Sequence, residues 1–159
     1  MKQKQFWKRA LFWILFSLAA GGISAAVTSK GRARFETVPQ PPLSPPRILF
    51  PIVWSVLLIL IGLGFAIVLE KASEPSEREG ASAAYAVQMT FFFCWMIWFF
   101  GLSWYGFSSL WLAGMIVSIL VMILVYRRIS PAAAWLQVPY LLWCCFALYL
   151  NLGIWVLNR

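Results

Sequence analysis

Gly80 to Tyr126 is a run of 47 residues without one charged side chain. As a single helix it would extend roughly 70 Å, more than twice the hydrocarbon thickness of a bilayer. The run therefore predicts two membrane-spanning helices folded back on each other. The break belongs in Gly101–Ser109, GLSWYGFSS, where glycine, serine and interfacial aromatics gather. That gives spans at about 82–102 and 107–126. Three other uncharged stretches complete the set, at about 10–29, 48–69 and 131–158. The expectation is an all-α integral membrane protein, a bundle of five transmembrane helices forming one domain over 1–159.

Composition agrees. Hydrophobic residues are 62% and charged residues 11%, and mean hydropathy is +0.81. A soluble domain carries roughly 25% charged residues. The net charge of +8 comes from side chains in the termini and loops. Anionic lipid headgroups, and not nucleic acid, are the expected partner for it. No charged side chain falls within a predicted span, which argues against an ion pump or channel. The chain has no His and no Asp, so an imidazole base and a His-ligated metal site are excluded. No metal and no cofactor are expected. Cys94, Cys144 and Cys145 all lie in apolar runs and read as small buried apolar residues. Residues 1–9 are basic and precede a short apolar core, a pattern shared with signal peptides. The small residues Gly21, Gly22, Ser24, Ala25 and Ala26 fit a tightly packed membrane helix equally well.

The connection at 30–47 holds Pro41, Pro42, Pro45 and Pro46. Each fixes its own φ and biases the residue before it toward extended geometry. This predicts a stiff, non-helical lid running into the second span, with Pro51 in that span's first turn and Trp54 just below. A linker followed by a lipid-facing Trp is the plainer reading. The segment Glu70–Glu79 reads as a polar loop, and Pro139 should kink the fifth span. Loop charges place eight basic residues on the N-terminal side and five on the lid side. The positive-inside rule then puts the N-terminus in the cytoplasm.

Two polar residues stand out within the spans, Gln88 and Asn151. Gln88, Phe92, Trp95 and Phe99 share one helical face, and Trp143, Ala147 and Asn151 are spaced by four on another. Such aromatic walls with an occasional amide suit a flat apolar ligand. Packing between helices would produce the same pattern.

The last span reads PYLLWCCFALYLNLGIWVLN from Pro139 to Asn158. This resembles the final helix of the translocator protein family, also called tryptophan-rich sensory proteins or peripheral benzodiazepine receptors, whose pattern is PYLLWxxFAxYLNxxxWxLN. The lid resembles the family's KPxWxPPxxxFxPVW through Pro41, Pro45, Pro46, Phe50, Pro51, Val53 and Trp54. The third span resembles QxxxNxxWxxxFFGL through Gln88, Trp95, Phe99, Phe100, Gly101 and Leu102. The resemblance implies a five-helix bundle, usually a homodimer, in a membrane, here a bacterial one. It implies a pocket under the first loop for porphyrin, haem, sterol or benzodiazepine-type molecules. Trp54, Trp95, Trp98, Trp143 and Ala147 would line that pocket, with Gln88 and Asn151 as its amides. The implied role is sensing or transport. The rival roles are oxidative breakdown of bound porphyrin, with Trp143 at risk of radical chemistry, and regulation of another membrane complex. The chain departs from the family pattern at Phe92 (Asn), Met96-Ile97 (Ser-Pro), Arg34-Phe35 (Trp-Tyr) and Leu43 (Trp).

Overall fold

A computed structural model describes residues 2–159. Its elements are α1 (Lys2–Val27), α2 (Ser29–Phe35), α3 (Leu49–Lys71), α4 (Pro75–Met96) continued by a π-helical turn (Ile97–Gly101), α5 (Tyr105–Ile129), α6 (Pro131–Trp135) and α7 (Val138–Leu157). Among the described residues, five helices are long and apolar enough to cross a membrane; the fifth comprises α6 and α7. The expected five spans are therefore present. α1 lies on α3, α3 on α6 and α7, α7 on α5 and α5 on α4, and α4 closes the ring on α1. Outward faces carry exposed Leu, Ile, Val and Phe side chains, such as Leu110, Leu124 and Leu142. That is what a helix in lipid presents, since lipid tails are as apolar as leucine.

Three boundaries and one burial pattern differ from the sequence expectation. The 30–47 connection is not wholly non-helical, because α2 occupies its first part. The Thr28 amide bonds to the Ser24 carbonyl and the Arg32 amide to the Thr28 carbonyl, so the helical ladder runs on past α1. The first proline comes only at Pro39, too late to stop it. Second, α4 starts at Pro75, not near residue 82. Glu74 and Glu77 form a reciprocal capping box and Pro75 takes the first turn, so most of the supposed polar loop is helix. Third, the break in the fifth span falls before Pro139. Proline cannot donate to the carbonyl four residues back and its ring clashes with it. That carbonyl belongs to Trp135, where α6 ends, and Leu136–Gln137 bridge to α7. Fourth, only Cys144 is buried; Cys94 is half-buried and Cys145 exposed.

The half of the bundle away from the lid is held by close backbone approach. A Cβ on Gly62 would sit 2.6 Å from the Trp13 carbonyl oxygen and 2.7 Å from the Ile14 nitrogen. One on Gly64 would collide with the Gln137 amide, whose nitrogen bonds to the Leu60 carbonyl at 3.3 Å. Phe65 and Tyr85 stack at 4.2 Å and 5°, with Trp13 edge-on to both. The Tyr85 hydroxyl pairs with Ser17 Oγ at 2.8 Å, and Arg9 pairs with Glu70 at 3.2 Å.

Candidate functional site

The other half is built differently. Pro41 packs against Gly153 of α7, where a Cβ would lie 2.6 Å from the proline ring. The Tyr149 hydroxyl donates to the Pro42 carbonyl at 2.8 Å, and Asn158 Nδ2 donates to the Pro39 carbonyl at 3.3 Å. These contacts fasten the strap to α7. At its other side, α2 rests on the π-helical turn: a Cβ on Gly31 would collide with the Phe100 carbonyl oxygen. Only glycine permits that approach. Between these supports lies a cavity of about 710 Å³, lined by α2, the strap, the first turn of α3 and Phe100.

Beneath it the bundle is filled by aromatic rings. Trp54 of α3 lies 4.9 Å from Phe92 and 5.7 Å from Trp95. Trp95 stacks on Phe99 at 5.5 Å. The π-helical turn, closed by the Leu102 amide on the Ile97 carbonyl, buries both Phe99 and Phe100. Phe35 of α2 packs on both, at 5.2 Å each. A residual gap of about 10 Å³ remains, bounded by Trp95, Ala147, Leu150 and Asn151 among others. Phe35, Gln40 and Phe50 line this gap and also the outer cavity. They form a partition between the two. Nothing in the sequence reading marked them as a group; the signal available was aromatic residues on either side of the proline strap.

Asn151 anchors the floor. Its Oδ1 accepts from Trp95 Nε1 at 3.0 Å and from Ser108 Oγ at 3.2 Å. Its Nδ2 donates to the Tyr105 carbonyl and to Ser109 Oγ, both at 2.8 Å. The amide thus joins α4, α5 and α7 and is fully occupied by the chain itself.

The seven residues singled out from the sequence do not form one wall. Trp95, Ala147 and Asn151 bound the gap together, and Trp54 packs against Trp95 without lining it. Gln88 shares the face of Phe92, Trp95 and Phe99, and all four are buried. It lies seven residues from Trp95, roughly 10 Å along the helix, which takes it below the gap. Both of its amide atoms are buried without a hydrogen-bond partner among the described residues. Trp98 is turned away from the gap, into a cluster with Trp104, Phe107 and Trp111. Trp143 lines a separate groove of about 600 Å³ between α3 and α7, with Val53, Val56, Pro139 and Phe146. Spacing by four drifts about 40° per step around a helix, so two steps carry Trp143 well away from Asn151.

Five apolar spans define a multi-pass integral membrane protein, here with a cavity beside its proline strap. The model of the TspO/MBR family matches residues 13–156, and the chain belongs to that family. It is 34% identical over 148 residues to the tryptophan-rich protein TspO of Chlorobaculum tepidum, covering 89% of this chain and 90% of that one. It is 31% identical to protein CrtK of Rhodobacter capsulatus over 149 residues, 93% of this chain and 92% of the relative. It is 31% identical to the translocator protein of Ovis aries over 136 residues, 84% and 79% of the two chains.

Proposed function

We propose that this protein binds a flat, largely apolar ligand of the porphyrin or haem class, or one with a sterol-like body, beneath its proline lid, in a sensing or transport role. The observation that carries the reading is the cavity of about 710 Å³ under the lid. It falls within the roughly 300–1,000 Å³ of small-molecule sites. Its inner wall is aromatic, and only Phe35, Gln40 and Phe50 separate it from the Trp95–Ala147 gap. Rotation of Phe35 away from Phe99 and Phe100 would join the two spaces into a slot deep enough for a flat ring system. The name translocator protein, carried by the mammalian relatives, favours transport. A homodimer in the bilayer is part of the same reading.

The test is a titration of the purified protein in lipid nanodiscs with protoporphyrin IX, followed by quenching of tryptophan fluorescence. Saturable quenching at one ligand per chain is expected. Ala147→Leu overfills a gap of only about 10 Å³ and should weaken binding, with the modest fall in melting temperature that overpacking brings and cooperative unfolding retained. Quenching that does not saturate, or an Ala147→Leu variant that binds as tightly as the parent, contradicts the reading.

A further inference from the structure

We propose that the ligand of the lid cavity carries carboxylate at one edge, and that Arg47 and Arg32 receive it in place of Glu36. The inference rests on the ligand site proposed above and specifies the chemistry at its mouth. Three charged side chains line the cavity: Arg32, Glu36 and Arg47. The wider lid segment, Lys30–Arg47, adds Lys30 and Arg34 and has no other acid. Four cations against one anion give the mouth a positive field that draws an anion toward it.

The Arg47–Glu36 pair closes at 2.9 Å, but the two side chains are 73% and 47% exposed. Ion pairs so open to solvent contribute little to stability. Exchanging the Glu36 carboxylate for a ligand carboxylate is therefore cheap, and the charge at Arg47 stays balanced through the exchange. Arg32 supplies the second donor. Its Nη2 bonds to the Ala25 carbonyl at 2.9 Å; its Nε has no acceptor among the described residues and is sealed from solvent, so a carboxylate meets it only once the side chain turns into the cavity it lines. A guanidinium N–H in that state gains from any anion brought within reach. Below the rim, Phe35, Phe50 and Phe100 offer apolar surface, with Gln40 the polar side chain among them. The cavity is thus polar at one edge and apolar at the other, and fits a molecule with the same division. Glu36 is the internal competitor: it holds Arg47 while the site is free, and its release loosens the link between the end of α2 and the start of α3.

The experiment compares protoporphyrin IX with its dimethyl ester, which has the same ring and no carboxylate, on the full chain in nanodiscs. The acid should bind about fivefold tighter, since charge-assisted hydrogen bonds are the stronger kind and this pair is partly solvated. Arg47→Gln should erase most of that gap, and 0.5 M NaCl should narrow it. Glu36→Gln should strengthen binding of the acid and leave the ester unchanged. Melting temperatures of both variants check that the bundle is intact; each changes an exposed side chain. Equal binding of acid and ester, or a gap unaffected by Arg47→Gln, overturns the carboxylate site and leaves tetrapyrrole binding standing. Failure of both compounds to bind a folded protein overturns the ligand reading and this inference together.

Discussion

The two halves of the bundle use similar residues to opposite ends. Away from the lid, Gly62 and Gly64 let α1 and α6 press against the α3 backbone, and Phe65, Tyr85 and Trp13 fill what remains. On the lid side glycine does another job. Gly31 seats α2 on the π-helical turn and Gly153 seats the strap on α7, and the space between them stays open. Helices in lipid gain nothing from simple apolar contact, so close packing has to come from small residues at crossing points. Where they join two spans the bundle is solid; where they seat the lid segment it is hollow.

The strongest way to break the comparison is at the solid seam. Gly62→Leu forces a side chain into the backbone of Trp13 and Ile14. Overpacking of this kind costs about 1–3 kcal/mol or more, so a marked drop in melting temperature is expected. An unchanged melting curve would mean that α1 is not held there. Next comes the floor of the hollow half. Asn151→Leu strands the Trp95 indole N–H, while the Ser108 and Ser109 hydroxyls keep the Tyr105 carbonyl as acceptor. Leaving buried donors unpaired costs about 1–3 kcal/mol. Thermal unfolding should show that loss, and porphyrin affinity should fall with it as Trp95 loses its fixed orientation.

The lid can be disturbed by itself. Gly31→Ala pushes α2 off the Phe100 carbonyl while touching none of the spans' seams. The melting temperature should move little, and limited trypsin digestion should cut faster at Arg34 and Arg47. Equal cleavage rates would show that α2 is not held by that contact. The smallest effect belongs to Leu43. It has φ 66° in the strap and is exposed. A left-handed conformation costs a non-glycine residue roughly 1–2 kcal/mol. Leu43→Gly removes that strain but adds freedom to the unfolded chain, so the net gain should stay under about 1 kcal/mol by thermal unfolding. A loss instead would mean that the Leu43 side chain contributes contacts the strap needs.

The five spans were legible because charge-free runs are a bilayer-scale signal, and the family because three motifs stand in order. Boundaries were less so. Glu77, Arg78 and Glu79 looked like loop, yet a capping box turned them into the first turn of α4. In helix 1, Gly21 meets Leu58 as a packing glycine should, while Gly22 faces open space. Residues on one strict helical face, such as Phe92, Trp95 and Phe99, stayed together. Trp143 drifted off by helical geometry, and Trp98 lies within a π-helical turn that no spacing rule revealed. Phe35 was out of reach from sequence, because its position depends on α2 folding where the prolines suggested extended chain.

The proposed function requires that the lid half open for a ligand and that the seam half stay closed. Hydrogen exchange read residue by residue tests it directly, because exchange rates report local opening free energies. Amides of 29–47 should exchange fastest among the non-terminal segments and slow on addition of protoporphyrin IX. Amides along Leu57–Phe65 should exchange slowly with or without it. Protection that appears along the α1–α3 seam, or a lid whose exchange ignores the ligand, would contradict the account.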